Sequence, residues 1–335
     1  MSYTNGLDNP ELYMQVKLYT GDGSTPSITL DGDEDMQPDL VWIKNRDASG
    51  DSHCVFDSVR GATKVVHTEL EDAETTDADT LTSFDSDGFA LGADVKVNTD
   101  TEAYVAWCWK ESATAGFDIV SMTGTGSART QAHSLSAVPH IFIVKKTDGG
   151  GPFSVYHHKN TSAPETDKLT LGATDATYDI VSYWNDTAPT SSVFSLGHSG
   201  DVNGDTLNYI TYLWRSVQGF SSMGSYIGNG DADGTFVYTG FRPAWVIIKR
   251  TDSTTGADWI IMDNKRNTYN PVKGRLRSNL DSDEDSPVDF CDFLSNGLKM
   301  RDSSTTTNAD GATYIFMCFA ESPLVNSNGV PCNAR

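Results

Sequence analysis

The sequence predicts an all-β protein built from three tandem β-sandwich modules of about 105 residues, jelly-roll or lectin-like in topology. Three observations predict it. The apolar runs, such as Tyr104–Trp109 and Tyr314–Ala320, are short, aromatic and β-branched, and clusters of Gly, Asp, Asn, Ser and Thr separate them. No stretch sustains a 3.6-residue apolar period over several turns. Four anchors also recur three times in a constant order, the signature of repeated supersecondary units.

The first anchor is a glycine-bracketed turn: Tyr19-Thr-Gly-Asp-Gly23, Met122-Thr-Gly-Thr-Gly126 and Tyr226-Ile-Gly-Asn-Gly230. These glycines precede strands and lack a following helix that would hold a phosphate, so they read as turns. A proline-led strand follows: Pro38-Asp-Leu-Val-Trp-Ile-Lys44, Pro139-His-Ile-Phe-Ile-Val-Lys145 and Pro243-Ala-Trp-Val-Ile-Ile-Lys249. The third anchor is Phe89-Ala-Leu-Gly92 and Phe194-Ser-Leu-Gly197, with Leu298-Lys-Met300 as a weaker counterpart. Asp87-Gly88 and Asn296-Gly297 are dipeptides suited to a type I′ hairpin, whereas copy two has Ser192-Val193. The fourth anchor is N-x-D-x-x-x-Y, with Asn98/Asp100, Asn203/Asp205 and Asn308/Asp310 leading to Tyr104, Tyr209 and Tyr314, which are 105 residues apart. The asparagines are expected to form Asx turns that launch the last strand. The modules fall at 15–112, 116–217 and 219–322, with an N-terminal extension over 1–14 and a C-terminal tail over 323–335. The two ends read as frayed termini or as docking and strand-exchange segments.

The last strand of each module is apolar on both faces. Tyr104, Ala106 and Cys108 point one way; Val105, Trp107 and Trp109 point the other. Ile210, Tyr212 and Trp214, and then Ile315, Met317 and Phe319, continue that second face in copies two and three. It needs a second layer, which the opposite sheet's flank, a neighbouring module or another subunit can supply. In the last case symmetric self-association, a trimer above all, buries it.

The 335 residues carry 24 Lys+Arg against 46 Asp+Glu, a net charge of -22, which excludes nucleic-acid binding through basic patches. At 38% hydrophobic and 10% aromatic the chain has ample material for a core. No signal peptide is expected from residues 1–10, and no membrane insertion, since a spanning helix needs about 20 apolar residues. The sequence has no G-x-S-x-G, H-E-x-x-H or G-x-x-x-x-G-K-[ST] motif, so an enzyme is not expected. Five cysteines without a C-x-x-C pair and seven histidines without repeated spacing indicate neither a disulfide framework nor a zinc site. No cofactor is expected. The acidic loops Asp31–Asp35, Asp231–Asp233 and Asp281–Asp285 do not fit an EF-hand, and they read as solvated turn acids or, alternatively, an irregular calcium site. Tyr183, Trp184, Asn185 and Asp186, in a polar stretch without counterpart in the other copies, are the candidate glycan contacts. The alternative for Trp184 is a plug in its own module.

Pro38-Asp-Leu-Val-Trp-Ile-Lys-Asn-Arg46, Phe56-Asp-Ser-Val-Arg-Gly-Ala62, Ser83-Phe-Asp-Ser-Asp-Gly-Phe89 and Tyr104-Val-Ala-Trp-Cys-Trp-Lys110 together resemble a repeat domain of marine tailed-bacteriophage virion proteins. Copy one matches densely, while copies two and three keep the strand anchors and lose Phe-Asp-Ser-Val-Arg-Gly-Ala. The resemblance implies a structural protein of the virion, a tail-associated fibre or appendage assembled in the host cytoplasm. Other virion proteins are its implied partners, and it carries over no catalytic residues. A host-surface glycan is the further partner expected. A capsid decoration or carbohydrate-binding adhesion protein is the alternative, and a glycan depolymerase is a third.

Overall fold

The computed structural model describes residues 4–333, and the chain is nearly all β. Copy one supplies β1 (Met14–Thr20), β2 (Ser27–Thr29), β3 (Leu40–Asn45), β4 (Cys54–Asp57), β5 (Lys64–Val65), β6 (Thr75–Thr76), β7 (Leu81–Asp85), β8 (Gly88–Leu91) and β9 (Ala103–Trp109). Copy two supplies β10 (Phe117–Thr123), β11 (Arg129–Ala132), β12 (Ile141–Lys146), β13 (Ser154–His157), β14 (Asp167–Thr170), β15 (Tyr178–Asp179), β16 (Val193–Leu196) and β17 (Asn208–Trp214). Copy three supplies β18 (Ser221–Ile227), β19 (Phe236–Tyr238), β20 (Phe241–Arg250), β21 (Trp259–Asp263), β22 (Leu276–Arg277), β23 (Cys291–Leu294), β24 (Gly297–Met300) and β25 (Thr313–Pro323). Two four-residue helices, α1 (Val95–Asn98) and α2 (Val181–Trp184), interrupt the strands.

One antiparallel pattern recurs. The large sheets run β1-β9-β3-β4, β10-β17-β12-β13-β14-β15 and β18-β25-β20-β21-β22, so each first strand pairs the last, which pairs the proline-led strand. Smaller sheets, β2-β8-β7, β11-β16 and β19-β24-β23, carry the third anchor. The hairpins before that anchor turn one residue earlier than the sequence suggests: Asp85 pairs Gly88 and Leu294 pairs Gly297, leaving Ser86-Asp87 and Ser295-Asn296 at the turn. The glycines begin the next strand instead, because a Cβ there would lie 2.0 Å from the Ile28 carbonyl or 2.1 Å from that of Val237.

The second apolar faces find their layer inside the chain. Val105, Trp107, Trp109, Ile210, Tyr212, Trp214, Ile315, Met317 and Phe319 are all buried in one hydrophobic cluster drawn from all three copies. The opposite faces pack into three separate clusters, one per copy, against the smaller sheets. The three large sheets thus surround a shared core, where Trp109 contacts Trp214, Trp245 and Phe319 at ring-centroid distances of 6.3, 5.3 and 5.8 Å. These contacts are edge-to-face or nearly so, the arrangement aromatic quadrupoles favour. The face that motivated a trimer is therefore covered by the chain's own sheets and gives no argument for self-association.

A cyclic set of buried polar contacts closes this arrangement. Asp57 and Arg60 form an ion pair with side chains 0% and 6% exposed, and the Tyr212 hydroxyl of copy two donates to Asp57 at 2.8 Å. Asp263 and Arg266 repeat the pair at 2.6 Å, both side chains 0% exposed, and the Trp107 indole of copy one donates to Asp263 at 3.1 Å. Between them, His157 takes the aspartate's position on its strand and its Nε2 donates to the Phe316 carbonyl of copy three at 3.2 Å. Tyr212 and Trp107 occupy the place of Met317 in copy three, and a thioether has no hydrogen to give a carboxylate. A neutral histidine aimed at a backbone carbonyl satisfies the site instead.

The repeated asparagines do not form local Asx turns. Asn98, Asn203 and Asn308, all fully buried, reach across to the glycine turns: their Oδ1 atoms accept from the amides of Asp22, Thr125 and Asn229 at 2.9, 3.0 and 3.1 Å. Their amide groups donate to the carbonyls of Ser24, Ser127 and Asp231 at 3.0, 2.7 and 2.9 Å. Gly21, Gly124 and Gly228 permit the approach, since a Cβ would fall 2.1–2.2 Å from a carbonyl oxygen of the facing loop. Tyr104, Tyr209 and Tyr314 lock the same loop, each hydroxyl accepting from one backbone amide and donating to one carbonyl. Lys44, Lys145 and Lys249, next to last in the proline-led strands, are 0% exposed. Their ammonium groups donate to the carbonyls of Asn45, Gly151 and Ala257. Burial pulls the last two down to about 8.

Both ends are tied down as far as they are described. Asp8 accepts from the Ser327 amide at 2.8 Å, and Arg242 donates to the Asn333 carbonyl at 2.9 Å. Residues 1–3 and 334–335 of the two terminal segments lie outside the described residues. No helix among the described residues is long and apolar enough to cross a membrane.

Candidate functional site

Tyr183 and Trp184 do not form a sugar-stacking surface. They lie on α2, 5% and 1% exposed, and the Trp184 indole donates to the Asp167 carbonyl at 2.9 Å. The helix turns both rings inward, where Trp184 meets Phe142 edge-to-face at 4.8 Å. Asn185 and Asp186 follow in left-handed backbone at φ 56° and 44° and are exposed, so they cap the helix at the surface. The expectation for the rings is thereby corrected: an indole in a polar stretch filled the nearest apolar cavity.

A cleft of about 420 Å³ lies nearby, between copies two and three. Its lining comes from β14 (Lys168, Leu169, Thr170), the following loop and β15 (Asp175–Tyr178), and Thr254 of copy three. Lys168 and Tyr178 are a cross-strand pair. The Tyr178 ring is 58% exposed, and the Thr177 amide ties the loop to the Thr251 carbonyl at 2.8 Å. Tyr183 serves this cleft from behind. Its hydroxyl, which donates to Asp201, lies 3.3 Å from the Lys168 ammonium, and that ammonium sits 4.6 Å from the ring centroid. Burial lowers the Lys168 amine and raises the Tyr183 phenol. An ammonium donor, a carboxylate in Asp175, threonine hydroxyls and an exposed ring form a set suited to a hydroxyl-rich ligand. Asp175 is the one carboxylate among the described lining residues, whereas glycoside hydrolysis uses two that flank the scissile bond. Lys168, Asp175 and Tyr178 escaped sequence reasoning. They lie in a hairpin that recurs as Val65–Thr75 and Arg275–Asp285, so nothing in the repeat pattern marked copy two's version.

Among the described residues no group of three or more His, Cys, Asp or Glu side chains is arranged to hold a metal ion. The acidic loops are already engaged: Asp31 pairs with Lys17 at 2.5 Å, Asp233 with Lys299 at 2.8 Å, and Asp285 with both Arg275 and Arg277. Calcium or a chelator is accordingly expected to leave the melting temperature unchanged; a rise with calcium that the chelator reverses would establish a stabilising site. Cys54, Cys108, Cys291 and Cys318 are free and buried.

The histidines cluster at the boundaries between copies. His53 accepts from the Trp42 indole and donates to the Arg277 carbonyl, both at 2.9 Å, while His158 donates to the Met223 carbonyl at 2.9 Å and stacks on His140 at 4.0 Å. Burial holds His53, His140, His157 and His158 in the neutral form, with His157 lowered to about 3 and His140 to about 4. The unfolded chain takes up these protons near pH 6.5 and the folded one resists. Their contribution to stability is complete above that pH and is lost as the pH falls toward 4. Glu111, pushed up to about 7 by burial and the adjacent Asp118, works in the opposite sense, as do Asp51 and Asp302, but four histidines are lowered, His53 and His157 among them fully buried. Melting temperature is expected to drop between about pH 7 and about pH 5; a flat profile would mean the rings charge without penalty.

No curated protein matches the chain. A family model described as a domain of unknown function, DUF7483, matches residues 9–323 and so takes in all three copies and the core they share. The chain belongs to the DUF7483 family.

Proposed function

We propose that this chain is a non-enzymatic structural protein of a tailed-phage particle, a tail-associated fibre or appendage that contacts a host-surface glycan. Its three copies, over 15–112, 116–217 and 219–322, read as jelly-roll or lectin-like sandwiches joined side by side rather than strung end to end. The single observation behind the glycan reading is the cleft at Lys168, Asp175 and Tyr178, which offers hydroxyl-binding groups and an exposed ring. The resemblance of Pro38–Arg46, Phe56–Ala62, Ser83–Phe89 and Tyr104–Lys110 supports the particle. A body whose three sheets share one core, with exposed loops around it, suits such a role.

Gold-labelled antibody on intact particles tests the location. Label along the tail is expected, label over the head would favour the decoration reading, and unlabelled particles would sink both. For the cleft, Tyr178→Ala is expected to weaken binding to a host polysaccharide by roughly five- to tenfold with the melting temperature unchanged. Undiminished binding would remove the cleft from the contact.

A further inference from the structure

We propose that the outer face of the β19-β24-β23 sheet is a second saccharide platform, built for an uncharged, extended stretch of glycan. The ligand class is shared with the cleft reading and rests on it; the residues are independent of it. Strand alternation points Val237 into the core and leaves Phe236 and Tyr238 outward, 43% and 63% exposed. The core does not require these rings. In copy one the same register positions hold Ser27 and Thr29, and in copy two Thr130 and Ala132.

Each ring lies close to a glycine. A Cβ on Gly297 would meet the Phe236 ring at 3.1 Å, and one on Gly240 would meet the Tyr238 hydroxyl at 3.5 Å. Two aromatic residues two apart on one strand are separated by roughly 7 Å, enough for each to face a different pyranose ring. Beside them the register places Lys299 next to Phe236, and Asp292 next to Lys299. Their charges are already matched: Lys299 pairs with Asp233 at 2.8 Å and Arg301 with Asp292 at 2.6 Å. Matched pairs retain free lone pairs and N–H groups without a net field, which fits hydroxyls better than a phosphate or a cation. From β19 to β23 the row spans roughly 10 Å. It continues into a shallow depression of about 450 Å³ beside Asn270, Asp292 and Arg301. That length accommodates an oligosaccharide rather than a single sugar.

The probe is an array of purified bacterial O-polysaccharides and capsular polysaccharides, followed by titration of the tightest hit. The variant Phe236→Ser/Tyr238→Thr, which installs copy one's residues, is expected to lose roughly tenfold in affinity with melting temperature unchanged. Tyr178→Ala separates the two sites. If it weakens binding while Phe236→Ser/Tyr238→Thr does not, the cleft stands and the platform falls. If only the strand variant weakens binding, the platform stands alone. Wild-type self-association in sedimentation that the strand variant abolishes would assign the face to a second copy of the chain and overturn the proposal. An array without hits would overturn both readings.

Discussion

Asp263→Ala is expected to lower the stability of the whole chain by about 3–5 kcal/mol, measured by denaturant titration. The loss comes less from the deleted contacts than from what stays behind. Arg266 has no exposed side-chain surface, and Asp263 receives its Nε and the Trp107 indole together. Removing the carboxylate strands a guanidinium in an apolar site with Glu284 at 3.4 Å as its remaining ion-pair partner. Replacing both members with apolar residues of similar volume, Asp263→Leu with Arg266→Met, should recover most of the loss, because no charge is then left buried. If the single and double variants are equally unstable, the pair's value lies in its packing and not in its charge.

Trp109→Ala is expected to cost about 3–5 kcal/mol, the usual range for a fully buried indole. Its ring touches residues from copies two and three, so the cavity would open where the sheets meet rather than within one repeat. The transition should therefore move as a whole, with near-ultraviolet and far-ultraviolet signals changing together. An early partial transition confined to one copy would show that the shared core does not couple them. By the same reasoning residues 219–322 expressed alone should not fold, since Trp245, Met317 and Phe319 would face water.

Much of the fold was legible because it is written three times. The proline-led and terminal strands stand out by repetition, and the last strand's double apolarity called for a second layer. Which layer was not legible, since three copies of one chain and three chains of one copy place the same demand on the sequence. The partners of Asn98, Asn203 and Asn308 were hidden for a different reason: they lie 74–79 residues away, while the local N-x-D spacing suggested a nearer bond. The Asp-x-x-Arg pair of Phe56–Ala62 recurs as Asp263 and Arg266, but His157 and Asn160 break it in copy two, so it read as lost. At the cleft the sequence pointed to Tyr183–Asp186, whereas the lining comes from a hairpin that all three copies share. Burial of Trp184 depends on the short α2 helix, too brief to leave a periodic signal.

His157 stands where the other copies have aspartate, so the three boundaries are not equivalent. Three separate subunits encoded by one gene must keep three identical interfaces, because a change in one is a change in all. Joining them in a single chain removes that constraint, and tethering holds each boundary at high effective concentration even where its contacts weaken. One boundary could then surrender its buried ion pair to a neutral ring. The outer surface differs between copies too: Tyr178 of copy two stands where copy one has Thr75 and copy three Asp285, and β19 of copy three carries aromatic rings where copy one has serine and threonine. Within one chain, the equivalence of the three boundaries can therefore be lost one boundary at a time.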